Sequence, residues 1–199
     1  MSLLEMLMTQ VQPSQLEQIG RAAGVNQDQV ASVLKGALPG MLEGLSRNAG
    51  TPQGAEALWS ALERDHDGGV LENLAGFLGG SGGMADGAKI LGHVFGSRQT
   101  GVESSISQAS GVDMASVAKI MAMAAPLIMA ALGKAKNQMN LDPSGLSRML
   151  GQERQTAQQA APDMMDFFGK MLDSDGDGSA MDDLGKLGSS LLGGLFKGR

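Results

Sequence analysis

The chain has 199 residues, a formal net charge of −6 and no cysteine, so it holds one or two domains with a real core and carries neither a disulfide framework nor thiolate chemistry. No basic stripe offsets the acidic balance, which argues against binding a phosphate backbone. Apolar residues make up 42%, but aromatics only 3%, with 15 Met and 30 Gly. A core of Leu, Met, Ala and Val suits packed helices better than a β-sandwich, which favours β-branched and aromatic residues.

The first ten residues, MSLLEMLMTQ, lack a basic n-region and a small-residue cleavage site, so the expectation is a cytoplasmic chain without a leader. Residues 19–45, IGRAAGVNQDQVASVLKGALPGMLEGL, then align without a gap with residues 106–132, ISQASGVDMASVAKIMAMAAPLIMAAL, at an offset of 87. Ile19/Ile106, Gly24/Gly111, Val25/Val112, Val30/Val117, Pro39/Pro126 and Leu45/Leu132 are identical pairs. Such self-similarity is the mark of a duplicated supersecondary unit. In each copy a short helix should end at Gly24 or Gly111, because Gly accepts the left-handed conformation of a helix C-terminus. Asn26 or Asp113 then stands where a side-chain oxygen can cap the next helix.

The long helix of the first unit carries Val30, Val33, Leu34, Ala37, Leu38, Met41, Leu42 and Leu45 at helical spacing. Gln27, Asp28, Ser32, Lys35 and Glu43 are assigned to its outer, polar face. The second long helix is apolar nearly all round from Ile120 to Leu132. It should be buried on every side, as a central helix or as a contact with another chain. Its longest uncharged stretch, Ile120 to Gly133, is too short for the roughly 20 apolar residues of a membrane span. Pro39 and Pro126 fall inside these helices and should kink or break them. A carbonyl freed for a ligand is the functional reading of that kink, and a packing feature is the structural one.

Between the units, residues 65–89 are dense in Gly, and GGSGG from Gly79 to Gly83 reads as a linker around a short helix. The match of GGSGG to G-x-S-x-G lacks the strand–turn–helix context of a nucleophile elbow. Gly82 to Lys89 has no G-K-[ST] ending and is no P-loop. Asp65-His66-Asp67 lacks a further His for a zinc site. His93, within the apolar segment Ile90 to Gly96, has no orienting partner in the sequence and reads as a hydrogen-bonded core histidine before it reads as a general base.

Past Pro162, Met164, Met165, Phe167, Phe168, Met171 and Leu172 predict a short amphipathic helix. The acidic run DSDGDGSAMDD follows, and a Gly-diluted leucine stripe from Leu184 to Phe196 closes the chain. Asp173, Asp175 and Asp177 occupy positions 1, 3 and 5 of a D-x-D-x-D-G pattern, the spacing that lets carboxylates converge on calcium. Position 12, where a bidentate Glu belongs, is Leu184, and Asp182 and Asp183 are the nearest substitutes. The alternative is a plain acidic turn with Asp183 favouring the start of the last helix.

KILGHVFG (Lys89 to Gly96), together with the paired GV[ND]…P helices, resembles the YidB-like family of uncharacterised bacterial proteins. The tail DSDGDGSAMDDLGKLGSSLLGGLF is similar to the ends of many family members. The resemblance covers most of the chain. It implies a helical bacterial domain and no reaction.

The expectation is therefore an all-α bundle of two pseudo-repeated helical units with Pro-kinked long helices. Residues 1–65 form the first unit, 66–87 a Gly-rich linker with a short helix, 88–150 the second unit, and 151–199 a polar linker with a helix–acidic loop–helix tail. The expected function is a non-enzymatic interaction or self-assembly protein, oligomeric or bound to a protein partner, with no nucleic acid and no membrane span. Calcium at Asp173, Asp175, Asp177, Asp182 and Asp183 would modulate it, and no other cofactor is implied. A calcium sensor or buffer is the second reading, and an enzyme using His93 the third.

Overall fold

The computed structural model describes residues 13–65, 81–160 and 162–173. His66, Asp175, Asp177, Asp182, Asp183 and the leucine stripe lie outside the described residues. Among those described, every regular element is helical. Helix α1 spans Pro13–Ala23, α2 Gln27–Asn48 and α3 Pro52–Asp65. Helix α4 spans Ser81–Phe95 and runs through a 3₁₀ turn, Gly96–Arg98, into α5, Gln99–Ser110. Helices α6, Met114–Gln138, α7, Pro143–Ala160, and α8, Pro162–Asp173, complete the order.

The boundary chemistry follows the sequence. Gly24 stands at φ +80° after α1, and Gly111 at φ +69° after α5. The Gly24 and Val25 amides both donate to the Gly20 carbonyl, satisfying the end of α1. Asn26 Oδ1 accepts from the Gln29 amide at 2.9 Å while Gln29 Oε1 accepts from the Asn26 amide at 3.0 Å, a reciprocal capping box. Asp113 Oδ1 accepts from the Ser116 amide at 3.0 Å at the start of α6. Asp142 Oδ1 accepts from the Gly145 amide at 2.6 Å at the start of α7.

Helix α6 is the centre of the fold. Every residue from Ile120 to Gly133 is buried. One window of α6 reaches a mean hydropathy of 1.8, and length and composition alone would let it cross a membrane. That window is 83% buried within the protein, against α1 to α5. The most extensive packing is α4 on α6. Helix α2 is the second hub and meets α1, α5, α6, α7 and α8.

Neither proline ends its helix: α2 runs through Pro39 and α6 through Pro126, and both prolines are buried. A proline has no N–H, so the carbonyl four residues earlier loses its helical donor. For Pro126 that carbonyl belongs to Ala122. It lies against Gly87 of α4, where a Cβ would overlap the Ala122 backbone. Only glycine lets the two backbones come this close. This contact explains a difference from the sequence reading. Residues 81–87 were expected as the end of a linker and instead form the first turns of α4, because packing on α6 outweighs the poor helix propensity of Gly.

A second difference concerns Glu43. It was assigned to the polar face of α2 and is 3% exposed; Pro39, Gly40 and Gly44 are buried as well. Helices α7 and α8 cover this side of α2. Arg154 of α7 reaches the Glu43 carboxylate at 3.3 Å, which supplies the partner that a buried charge requires. Two further ties cross the fold. Trp59 Nε1 donates to the Leu141 carbonyl at 2.7 Å, with Lys136 Nζ 4.2 Å from the centre of the Trp59 ring. Ser116 Oγ donates to the Ala23 carbonyl at 3.1 Å, joining α6 to α1.

The expected amphipathic helix near the C-terminus is α8. Met165, Phe168 and Leu172 are buried. The Phe168 ring lies over Gly40, where a Cβ would stand 3.0–3.2 Å from ring atoms.

Two outcomes follow from this packing. Gly87→Val should destabilise the protein by about 3 kcal/mol through overpacking. Gly92→Ala, on the same helix with nothing within 4 Å of the new methyl, should stabilise it by about 0.5–1 kcal/mol. Urea unfolding of both variants checks the pair, and equal effects would show that the α4–α6 approach does not need glycine. The second outcome concerns acid. The Ser116 amide, then its hydroxyl, holds the Asp113 carboxyl below its ordinary 3.8; the Gly145 amide, then the Ser144 hydroxyl, does the same for Asp142. A depressed folded pKa gives stability that is present above the unfolded value and lost as pH falls through the folded one. Helices α6 and α7 should therefore fray at their N-termini below about pH 4. The double variant Asp113→Asn, Asp142→Asn should show a shallower acid transition by circular dichroism.

Candidate functional site

The segment Ile90-Leu91-Gly92-His93-Val94-Phe95 builds one wall of a cleft. At helical spacing Ile90, Leu91, Val94 and Phe95 turn into the core and are buried, so Gly92 and His93 face outward. His93 is thus exposed, not the core histidine that its apolar neighbours led one to expect. Helix α4 stops after Phe95, and Gly96, at φ +57°, turns the chain into the 3₁₀ segment carrying Ser97 and Arg98.

The opposite wall is the last turn of α2. Gly44 allows the approach: a Cβ there would stand 2.6 Å from Val94 Cγ1 and 3.0 Å from the Val94 carbonyl oxygen. One turn on, Asn48 Nδ2 donates to the His93 carbonyl at 2.8 Å and to the Val94 carbonyl at 3.5 Å. These carbonyls belong to the end of α4, where intrahelical donors run out. Asn48 therefore caps a helix to which it is not connected and fixes the two walls relative to each other.

The resulting cleft has a volume of about 230 Å³, and Arg47, Asn48, His93, Ser97, Arg98 and Leu172 of α8 are among its lining residues. Arg47, His93 and Arg98 come together at the C-terminal ends of α2 and α4. Part of their role there is local, because cations offset the negative end of a helix. Their gathering in one concavity also gives an acidic protein a positively charged recess, with Asn and Ser as further hydrogen-bond donors. Among the described residues that line it there is no Asp or Glu.

His93 shares this cleft with the polar residues Asn48, Ser97 and Arg98. What the lining supplies around it is cationic and amide chemistry suited to holding an anion. A carboxylate to orient the imidazole or exchange protons with it is not among the described lining residues. Of the expected calcium ligands, Asp173 ends α8 beside this cleft, and the other four lie outside the described residues. Among the described residues no group of three or more His, Cys, Asp or Glu is placed to hold a metal.

Sequence reasoning singled out His93 and missed Arg47, Asn48, Ser97 and Arg98. The available signal was their position: each lies in the last turn of a predicted long helix or just past the KILGHVFG motif. A family model described as a bacterial protein of unknown function (DUF937) matches residues 5–135. It covers both walls of the cleft and bears out the resemblance read from KILGHVFG and the paired helices. No curated protein and no solved structure matches.

Asn48→Ala should cost about 1 kcal/mol, the net worth of its hydrogen bonding, and should speed amide exchange in residues 95–98. Exchange measured by mass spectrometry checks this, and a change spread evenly over the chain would count against a local capping role.

Proposed function

The chain belongs to the DUF937 family of bacterial proteins, which assigns it no reaction, and we propose that it is a non-enzymatic interaction protein whose contact site is the cationic cleft. One observation carries this reading: Arg47, Arg98 and His93 line one recess, on a chain of net charge −6. Guanidinium groups beside an amide and a hydroxyl are suited to carboxylates, so the partner group is an acidic segment of protein. The absence of a basic stripe continues to favour protein over nucleic acid, and the burial of α6 by the protein itself fits a core helix better than a membrane span.

Calcium modulation belongs to the same proposal. A cation held by Asp173, Asp175, Asp177, Asp182 and Asp183 would neutralise the acidic run that begins at the cleft. A calcium sensor or buffer is the alternative function, resting on the D-x-D-x-D-G spacing alone. We further propose that residues 1–65 and 88–150 are copies of one helical unit, kinked at Pro39 and Pro126. The matching left-handed glycines and side-chain caps support it, and superposing the units in an experimental structure tests it, with Gly24 on Gly111 and Pro39 on Pro126.

Titration of the full chain with hexa-aspartate at low salt, followed by NMR, tests the interaction reading. Shifts should concentrate at residues 47–48 and 93–98. The variant Arg47→Ala, Arg98→Ala should bind at least fivefold more weakly, and added salt should weaken the wild type as well. Shifts scattered over the surface, or an unchanged affinity in the variant, would remove the cleft as the contact site.

A further inference from the structure

We propose that the acidic run of the same chain, Asp173 to Asp183, is an occupant of this cleft, so that the protein carries its own competitor for an acidic partner. This rests on the reading of the cleft as a carboxylate site and adds the identity of a ligand. Three observations lead to it. The first is position: Leu172, on the last turn of α8, lines the cleft, so the chain passes Asp173 at its rim. Helix α8 is held there by Phe168 over Gly40 and by the burial of Met165 and Leu172.

The second is charge. Asp173, Asp175, Asp177, Asp182 and Asp183 fall within eleven residues, with no Lys or Arg among them. The recess at the end of α8 is lined by Arg47, His93 and Arg98, and its guanidinium groups carry the opposite charge. The third is reach. An extended chain covers about 3.3–3.6 Å per residue, so the few residues after Leu172 span a cleft of about 230 Å³ without moving α8. Tethering at the rim makes the contact intramolecular, and a short tether gives an effective concentration in the millimolar range. Weak carboxylate–guanidinium pairs that would be negligible between separate molecules are populated under that condition.

The test compares the full wild-type chain with the variant Asp175→Asn, Asp177→Asn, Asp182→Asn, Asp183→Asn, whose described core is untouched. Removing the competitor should tighten hexa-aspartate binding at least threefold at low salt, and amide exchange in residues 93–98 should quicken in the absence of peptide. Reversing the charges, Arg98→Glu with Asp175→Lys and Asp177→Lys, should restore slow exchange that Arg98→Glu alone loses. Equal peptide affinity and unchanged exchange in the Asn variant would overturn the inference while leaving the cleft as a contact site for other acidic segments. Failure of the peptide to bind either chain, with unchanged exchange, would overturn both.

Discussion

From Ile120 to Gly133, α6 has no side that water can wet, and a helix of that kind is stable only when neighbours surround it. The rest of the architecture answers this demand. Helices α4 and α2 lie along α6, and α1, α3 and α5 close the remaining directions. Proline within α6 adds a local condition, because the Ala122 carbonyl has no helical donor and must be met by something small. Gly87 meets it. A poor helix former in α4 and a helix disruptor in α6 are therefore two halves of one contact. Each would be unfavourable alone, and together they bring two backbones closer than side chains on both would allow.

The same economy of small residues shapes the second hub. Gly40 and Gly44, one turn apart on α2, leave room for the Phe168 ring and for the end of α4. The cleft is a by-product of that second approach. Two helix C-termini converge because Gly44 lets them, Asn48 ties the carbonyls of one to the side chain of the other, and cations gather where helix ends are negative. Under the proposed reading, structural and recognition roles would share the same groups: a guanidinium that offsets a helix end would also meet a carboxylate from solvent.

Local chemistry was legible in the sequence wherever a few adjacent residues decide the outcome. Gly-Val-Asn and Gly-Val-Asp gave the turn between α1 and α2 and that between α5 and α6, because the left-handed glycine and the capping side chain lie within three residues. The apolar stripe of α2, the burial of α6 and the amphipathic α8 followed from periodicity. What escaped was tertiary. Residues 81–87 have the composition of a linker, and only the face of α6 makes them helical. Glu43 looks like a solvated residue until Arg154, far along the chain, is brought over it. His93 sits among apolar neighbours, and its outward direction depends on which side of α4 the core takes. Arg47 and Arg98 are too far apart for any motif to join them.

The order of helices along the chain has a consequence for synthesis. Among the described residues, the elements that pack extensively on α6 all precede it: α1, α2, α3, α4 and α5. Domains form from the N-terminus as the ribosome delivers the chain, so the most apolar helix emerges last among the group that covers it. It meets a groove that is already assembled. Had α6 come first, a segment with a mean hydropathy of 1.8 would have waited uncovered, open to capture by the insertion machinery that reads apolar helices or by other nascent chains. The connectivity thus shortens the interval in which the sequence is ambiguous between a core and a membrane segment.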